Sequence, residues 1–395
     1  MRTYKSALIA CILVVFSCIG LARFSFGMVL PNMQIDLNLN TTQIGLIGSA
    51  NFLGYLLGLF FTGKFYTKFG PATLIKRSLL TQSFCMLLMA TSNNYILTSL
   101  IFCVAGFFGA MSNIAVMTYI TQIVPKAIKG KATGIVVMGI GSSIIFSGIV
   151  VPLFDKLFDV SSWRISWLSF ALIIFTISFI IKKGLSFPLH VTTTSTNSDY
   201  SLKKTFNDKR FLQVACIYLL FGVTYVAYMT FFVLAAEVKW QVSTEVSGIF
   251  WTLIGIASLL CGPIFGAIAD KIGNYKTLSL IFLIQILAHA ILSFDSPITL
   301  VWFSALLFGI SAWGVPTIMA VLSSELFGIA HTAKILSFVT IFFAIGQIVG
   351  PVGAGYIVDE LGDFSYTFLA STFLAFLGFL LSFWVDYKHK KSIIA

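Results

Sequence analysis

Apolar stretches long enough to cross a bilayer recur along the chain, separated by short polar segments. Crossing about 30 Å of hydrocarbon as a helix takes roughly 20 apolar residues, and the pattern predicts twelve such spans near residues 7–33, 44–65, 73–90, 96–123, 134–154, 163–181, 211–236, 246–269, 277–294, 298–322, 335–358 and 364–385. A membrane β-barrel would instead alternate apolar and polar residues in segments of about ten. The fourth and tenth spans are long enough to tilt. One long break interrupts the series. Residues 182–208 are rich in Lys, Ser and Thr and hold no apolar run, which predicts a flexible linker between a first six-helix bundle (1–181) and a second (209–395).

Composition supports this reading. The chain is 58% hydrophobic and only 10% charged, against about 25% charged in soluble domains. Forty Phe and 31 Gly suit helices that face lipid with bulky side chains and meet one another at small ones. All six cysteines fall inside apolar stretches and read as small hydrophobes. The net charge of +11 is spread through short loops, so it argues for topology and against a nucleic-acid partner. Of the 25 Lys and Arg, 21 fall on one side of the alternating loops, which predicts that both termini are cytoplasmic in an inner membrane. Arg2 and Lys5 before the first apolar run resemble a secretory leader; with no small-residue cleavage site, the run is expected to stay as the first helix. Lys203 to Arg210 is expected to lie at an anionic lipid surface.

Arg23 sits inside the first span. A cation near the bilayer centre costs at least ~2.5–3.5 kcal/mol and faces a bundle interior or a water-filled cavity. At about 1.5 Å per residue it lies roughly 26 Å along the helix. No Asp or Glu occupies comparable depth in another span, so an anionic substrate is the simplest counter-charge. The alternative is a structural arginine satisfied by backbone carbonyls or by Asp36. Gly20 and Gly27 share its face. Other deep polar or aromatic side chains are candidate substrate contacts, each with packing as the alternative. These are Asn51 and Tyr55 four apart on the second span, Asn113 on the fourth, Tyr225 and Tyr228 on one face of the seventh, Trp313 on the tenth and Gln347 on the eleventh. His289 lies four residues after Gln285 on the ninth span. It, Asp36 and Glu237 are candidate proton sites.

Two loops repeat. Gly63, Lys68 and Gly70 after the second span recur as Gly266, Lys271 and Gly273 after the eighth, 203 residues on, as expected of a duplicated six-helix unit. The second copy, with Asp270, resembles the G-x-x-x-D-[RK]-x-G-[RK] loop of the major facilitator superfamily; the first has Thr67 in place of the acid. Gly346 to Gly355 and Lys129 to Gly134 are similar to further stretches of that family. Ala22 to Gly27 with Pro31, Ser49 to Tyr55 and Gly139 to Pro152 resemble its YbfB-type branch. The resemblance implies an all-α integral membrane fold of twelve helices in two pseudo-symmetric six-helix bundles, with substrate bound near the midplane between the halves. It also implies a cytoplasmic latch at Gly63, Gly70, Gly266, Asp270, Lys271 and Gly273, dependent on Asp270, and ninth helices at the periphery.

No nucleophile–base pair, metal cluster or P-loop signature is present, so neither an enzyme nor a cofactor is expected. Secondary transport of a small organic anion, such as a carboxylate or amino-acid-like metabolite, leads, with a monomer and protons as the coupling ion (symport). The alternatives are proton-driven export of neutral or anionic amphiphiles, toxins or siderophore-like carboxylates, and, remotely, a non-transporting receptor.

Overall fold

The computed structural model describes residues 4–125, 128–182, 184–185, 207–328 and 332–394. Most of the linker, with Lys203 and Lys204, lies outside the described residues. Every described element is helical. The first span runs Lys5–Leu37 in three pieces: α1 (Lys5–Val15), a π-helical stretch (Phe16–Phe24) and α2 (Phe26–Leu37). There follow α3 (Thr41–Phe69), α4 (Pro71–Thr91), α5 (Tyr95–Ile123), α6 (Lys129–Phe158) and α7 (Ser162–Ile180). After the linker come α8 (Lys209–Lys239), α9 (Thr244–Ile272) and α10 (Asn274–Leu292). The tenth span is broken into α11 (Ile298–Ser311) and α12 (Gly314–Phe327), and α13 (Thr332–Leu361) and α14 (Phe364–Ile394) complete the chain.

Ten stretches are apolar and long enough to cross a membrane, one of them the 52 residues of Lys129–Ile180. That stretch holds two helices, separated by a 3₁₀ turn at Asp159–Ser161. Adding α4, which Lys76, Arg77 and Gln82 keep below that apolar standard, gives the twelve spans the pattern predicts. Helix ends fall within five residues of the expected bounds, except that α14 runs on to Ile394, nine residues past the expected 385.

The duplicated loop folds the same way twice. Gly70 and Gly273 adopt φ of 74° and 90°, where a side chain would be strained. Each donates its N–H to the carbonyl four residues back (Tyr66 and Ala269, both 2.9 Å) and accepts from the residue four ahead (Leu74 and Thr277, both 3.1 Å). The earlier glycines of the loop, Gly63 and Gly266, have open space where a Cβ would stand, so in this conformation only the second glycine of each copy is required.

Contacts divide the chain into two units, Met1–Thr192 with Thr230–Ile256, and Thr193–Met229 with Ala257–Ala395. The boundary departs from the sequence halves because α6 and α9 cross within unit 1 at two glycines. A Cβ on Gly148 would stand 2.7 Å from the carbonyl of Gly248, and one on Gly248 2.4 Å from that of Gly148. Trp251 Nε1 then donates to Ser147 Oγ at 3.1 Å. Small residues also join α3 to α5: Gly54 packs on the Cys103 carbonyl and Gly106 on that of Asn51. In unit 2, Gly346 and Gly350 of α13 lie on the Leu219 and Val223 carbonyls of α8. These close approaches supply the packing that lipid, as apolar as the helices, cannot drive.

Cysteines 11, 18, 85 and 261 are buried as expected, whereas Cys103 is half-buried and Cys216 exposed. At the start of α8, Asp208 accepts from the Arg210 backbone N–H at 2.8 Å and pairs with its guanidinium at 2.8 Å. That hydrogen-bonded guanidinium holds the carboxyl below its ordinary value.

Candidate functional site

The π-helical stretch of the first span carries Arg23. Its register appears where Ser25 donates its N–H to the Gly20 carbonyl five residues back, at 3.1 Å. Such stretches widen a helix and recur at functional sites. Gly20 does not leave room beside the cation as its spacing suggested. It packs on α6, where a Cβ would strike Ser143. The π stretch is met by a neighbouring amide: Gln82 of α4 donates through Nε2 to the Cys18 carbonyl inside it and to the Ala105 carbonyl of α5, both at 3.1 Å. Gln82 was missed from sequence, although a lone amide deep in an apolar span is the signal that could have found it.

Arg23 is 8% exposed. Its Nε donates to Asn51 Oδ1 at 2.9 Å, and Asn51 in turn donates Nδ2 to the Phe102 carbonyl at 3.0 Å. The guanidinium carbon lies 4.2 Å from the centre of the Phe52 ring and 4.3 Å from that of Tyr55. Asn51, Phe52 and Tyr55 occupy one turn of α3, so a single helix face supplies a neutral acceptor and two π faces. Tyr55 OH accepts from Asn113 Nδ2 of α5 at 2.8 Å. Both residues are half-buried and form the accessible edge of the cluster. The structure therefore joins the expected Arg23, Asn51, Tyr55 and Asn113 into one network. Amide and rings orient the cation and stabilise it without neutralising its charge.

Asp36 does not serve Arg23. It accepts from Arg164 Nη2 at 3.0 Å and from Trp163 Nε1 at 2.9 Å, on the surface near the end of the first span. Glu237, half-buried at the end of α8, accepts from Ser247 Oγ at 2.5 Å. Asp155 is held by Asn32 Nδ2 at 2.6 Å and by the Ser162 hydroxyl.

In unit 2 the expected residues are packed among aromatic rings. Tyr228 is fully buried, stacks on Phe308 at 3.8 Å between ring centres and shares a 2.8 Å hydrogen bond with Ser304 Oγ, which donates to the Ala288 carbonyl. Tyr225, also fully buried, meets the edge of Trp313 at 5.4 Å and stacks on Phe221 at 5.3 Å. Trp313 stands at the break between α11 and α12 and is half-buried. Gln347 is 5% exposed on α13. His289 is not peripheral. Fully buried, it lies against the Tyr228 ring at 5.3 Å, with Nδ1 2.7 Å from the Gln285 carbonyl and Nε2 3.2 Å from that of Thr224. The face of α10 that carries His289 meets α8, while Leu283 and Leu287 of the same helix are exposed.

At the repeated loops, Asp270 and Lys271 are exposed. Asp270 takes part in neither the Arg164–Asp36 nor the Arg210–Asp208 ion pair. Thr67 donates its hydroxyl to the Gly63 and Lys64 carbonyls of its own helix.

Comparison with known proteins places this geometry. The family described as "Uncharacterised MFS-type transporter YbfB" matches residues 15–383. The multi-drug resistance efflux pump PmrA of Streptococcus pneumoniae is 23% identical over 266 residues, 64% of this chain and 64% of the pump, so the match spans under two thirds of that relative. The uncharacterized transporter YybO of Bacillus subtilis is 22% identical over 393 residues, 90% of this chain and 88% of that one. Among solved structures, the nucleoside transporter NupG superposes with a TM-score of 0.79 at 14% identity, covering 96% of this chain and 99% of that one. A bacterial homolog of the human lysosomal transporter Spinster, inward-facing and unoccupied, gives 0.77 at 14% identity over 97% and 98%. At that identity the two structures speak for the fold alone, whereas the family match runs across nearly the whole sequence: the chain belongs to the YbfB-type branch of the major facilitator superfamily, multi-pass membrane transporters.

Proposed function

We propose that this transporter carries a small organic anion, a carboxylate or amino-acid-like metabolite, by secondary active transport, with Arg23 as the anion-binding group. The observation that carries this reading is the burial of Arg23 in a widened helix, with the neutral Asn51 on its Nε. A carboxylate brought to a guanidinium fork in low dielectric gains paired, charge-assisted hydrogen bonds. Tyr55 and Asn113 stand at the accessible edge, where they can orient the remainder of the substrate. The 21 basic residues on one side of the loops favour cytoplasmic termini, and symport with protons fits a substrate that is neutral when protonated and paired with Arg23 when ionised.

A thermal-shift screen of the purified chain against mono- and dicarboxylates tests the proposal, because a ligand that binds the folded state raises the unfolding temperature. Anions should stabilise the wild type and leave Arg23→Gln unmoved. If both respond alike, Arg23 is not the anion site. The second reading, export of neutral or anionic amphiphiles, draws on the likeness to PmrA. It gains if amphiphiles stabilise the chain and carboxylates do not.

A further inference from the structure

At the end of unit 1 where the basic loops lie, a cleft of about 450 Å³ opens between the start of α4 and the end of α7, within the ~300–1,000 Å³ range of small-ligand sites. Two stripes of equal spacing line it. From α4 come Thr73, Lys76, Arg77 and Leu80; from the end of α7 and the turn after it come Ser178, Ile181, Lys182 and Leu185. The α4 set follows the i, i+3, i+4, i+7 pattern that puts side chains on one helix face, and the second set has the same spacing across the end of α7 and the turn after it. Three cations thus share a cleft with an apolar floor and no acidic residue in its lining.

The wall is built, not incidental. Tyr119 OH donates to the Gly184 carbonyl at 3.0 Å, and a Cβ on Gly184 would stand 2.4 Å from Ala10 Cβ and 2.6 Å from the Ser6 carbonyl. This fixes the turn that carries Lys182 and Leu185. The α4 cations rest on rings: Lys76 Nζ lies 4.5 Å from the Phe179 ring centre and the Arg77 guanidinium 4.7 Å from that of Phe69. Neither described ion pair involves these cations. The described acids of the first half, Asp36, Asp155 and Asp159, sit near the far ends of α2 and α6.

We infer that this cleft binds one anionic glycerophospholipid, its phosphate held by Lys76, Arg77 and Lys182 and its acyl chains running along Leu80 and the exposed Phe179. Basic clefts between helices at a membrane surface suit such headgroups. The apolar floor and the lipid-facing ring distinguish a lipid from a soluble phosphate, which would have no use for them.

Native mass spectrometry of the full chain in detergent, titrated with phosphatidylglycerol or with phosphatidylcholine of the same acyl chains, tests this. The wild type should prefer phosphatidylglycerol. The triple variant Lys76→Gln, Arg77→Gln, Lys182→Gln should lose at least about tenfold in affinity for it. A control with Lys64→Gln, Lys68→Gln and Lys131→Gln removes equal charge from the same end and should keep the preference. Equal loss in both triples would reduce the effect to diffuse surface charge and overturn the site. Displacement of the lipid by glycerol 3-phosphate would assign the cleft to a soluble phosphate and also overturn it. If the pocket triple does not fold, photoreactive phosphatidylglycerol on the wild type decides: crosslinks on 73–80 or 178–185 support the site, and crosslinks confined elsewhere overturn it.

Discussion

Unit 1 and unit 2 each interrupt a span beside a candidate side chain, but they fill the interruption differently. In unit 1 the first span stays continuous and widens over Phe16–Phe24; amide groups from α3 and α4 take up Arg23 Nε and the Cys18 carbonyl. In unit 2 the tenth span breaks at Trp313, and the rings of Tyr225, Tyr228 and Phe308, stacked on one another, with Phe343 tilted against Tyr225, pack the interior. A buried cation must be met by dipoles and π faces, so its surroundings become a polar network. A neutral aromatic needs contact area and one partner for each hydroxyl. The difference teaches where a polar network is needed: unit 1 surrounds a buried cation with amides and π faces, while the candidate residues of unit 2 lie in a packed aromatic interior.

The largest expected effect comes from the packing that holds the cation. A Cβ at Gly106 would stand 2.0 Å from the Asn51 carbonyl, and one at Gly346 2.4 Å from that of Leu219. Gly106→Val and Gly346→Val should each destabilise the protein by ~1–3 kcal/mol or more, since overpacked backbones must part. Thermal unfolding in detergent measures this. Gly106→Val should also weaken anion binding by displacing Asn51; if Gly346→Val weakens it as much, the division between units fails.

Next comes the cation itself. Arg23→Gln should lower anion affinity at least about tenfold, as expected when a charge-assisted pair is lost. Arg23→Lys should recover only part, keeping charge without the fork. Equilibrium binding of a stabilising carboxylate reads both. Tyr228→Phe, by contrast, should cost about 1 kcal/mol of stability through the lost Ser304 hydrogen bond and leave anion affinity within twofold. A binding loss in Tyr228→Phe larger than that in Arg23→Gln would invert the comparison.

Smaller effects concern the repeated loops and the histidine. Because Thr67 spends its hydroxyl on its own helix, Asp270→Asn should raise the reactivity of cysteines introduced along the cytoplasmic pathway more than Thr67→Ala does. Equal labelling in both would assign the latch to neither acid nor loop asymmetry. His289→Gln should leave the pH dependence of transport in proteoliposomes unchanged, because the ring is fully buried among Tyr228, Phe308 and Phe368. If that variant alone abolishes the response, unit 2 carries the proton.

The sequence by itself determined the helices, their number and the repeat. Bilayer thickness sets the length of an apolar run, and glycine at 70 and 273 permits the positive φ that each repeated loop adopts. It also singled out Arg23, because a cation in hydrocarbon needs a reason wherever it is found. Only the tertiary structure decided which neighbours meet it. That Gly20 faces Ser143 and not the cation, that Gln82 repairs a widened turn, that Asp36 belongs to Arg164, and that His289 turns inward onto α8 all depend on helix rotation and on contacts between residues far apart in the chain. Spacing along one helix assigns residues to a face, but the facing partner, and so the hydrogen bond each buried polar group must find, is set by packing between helices.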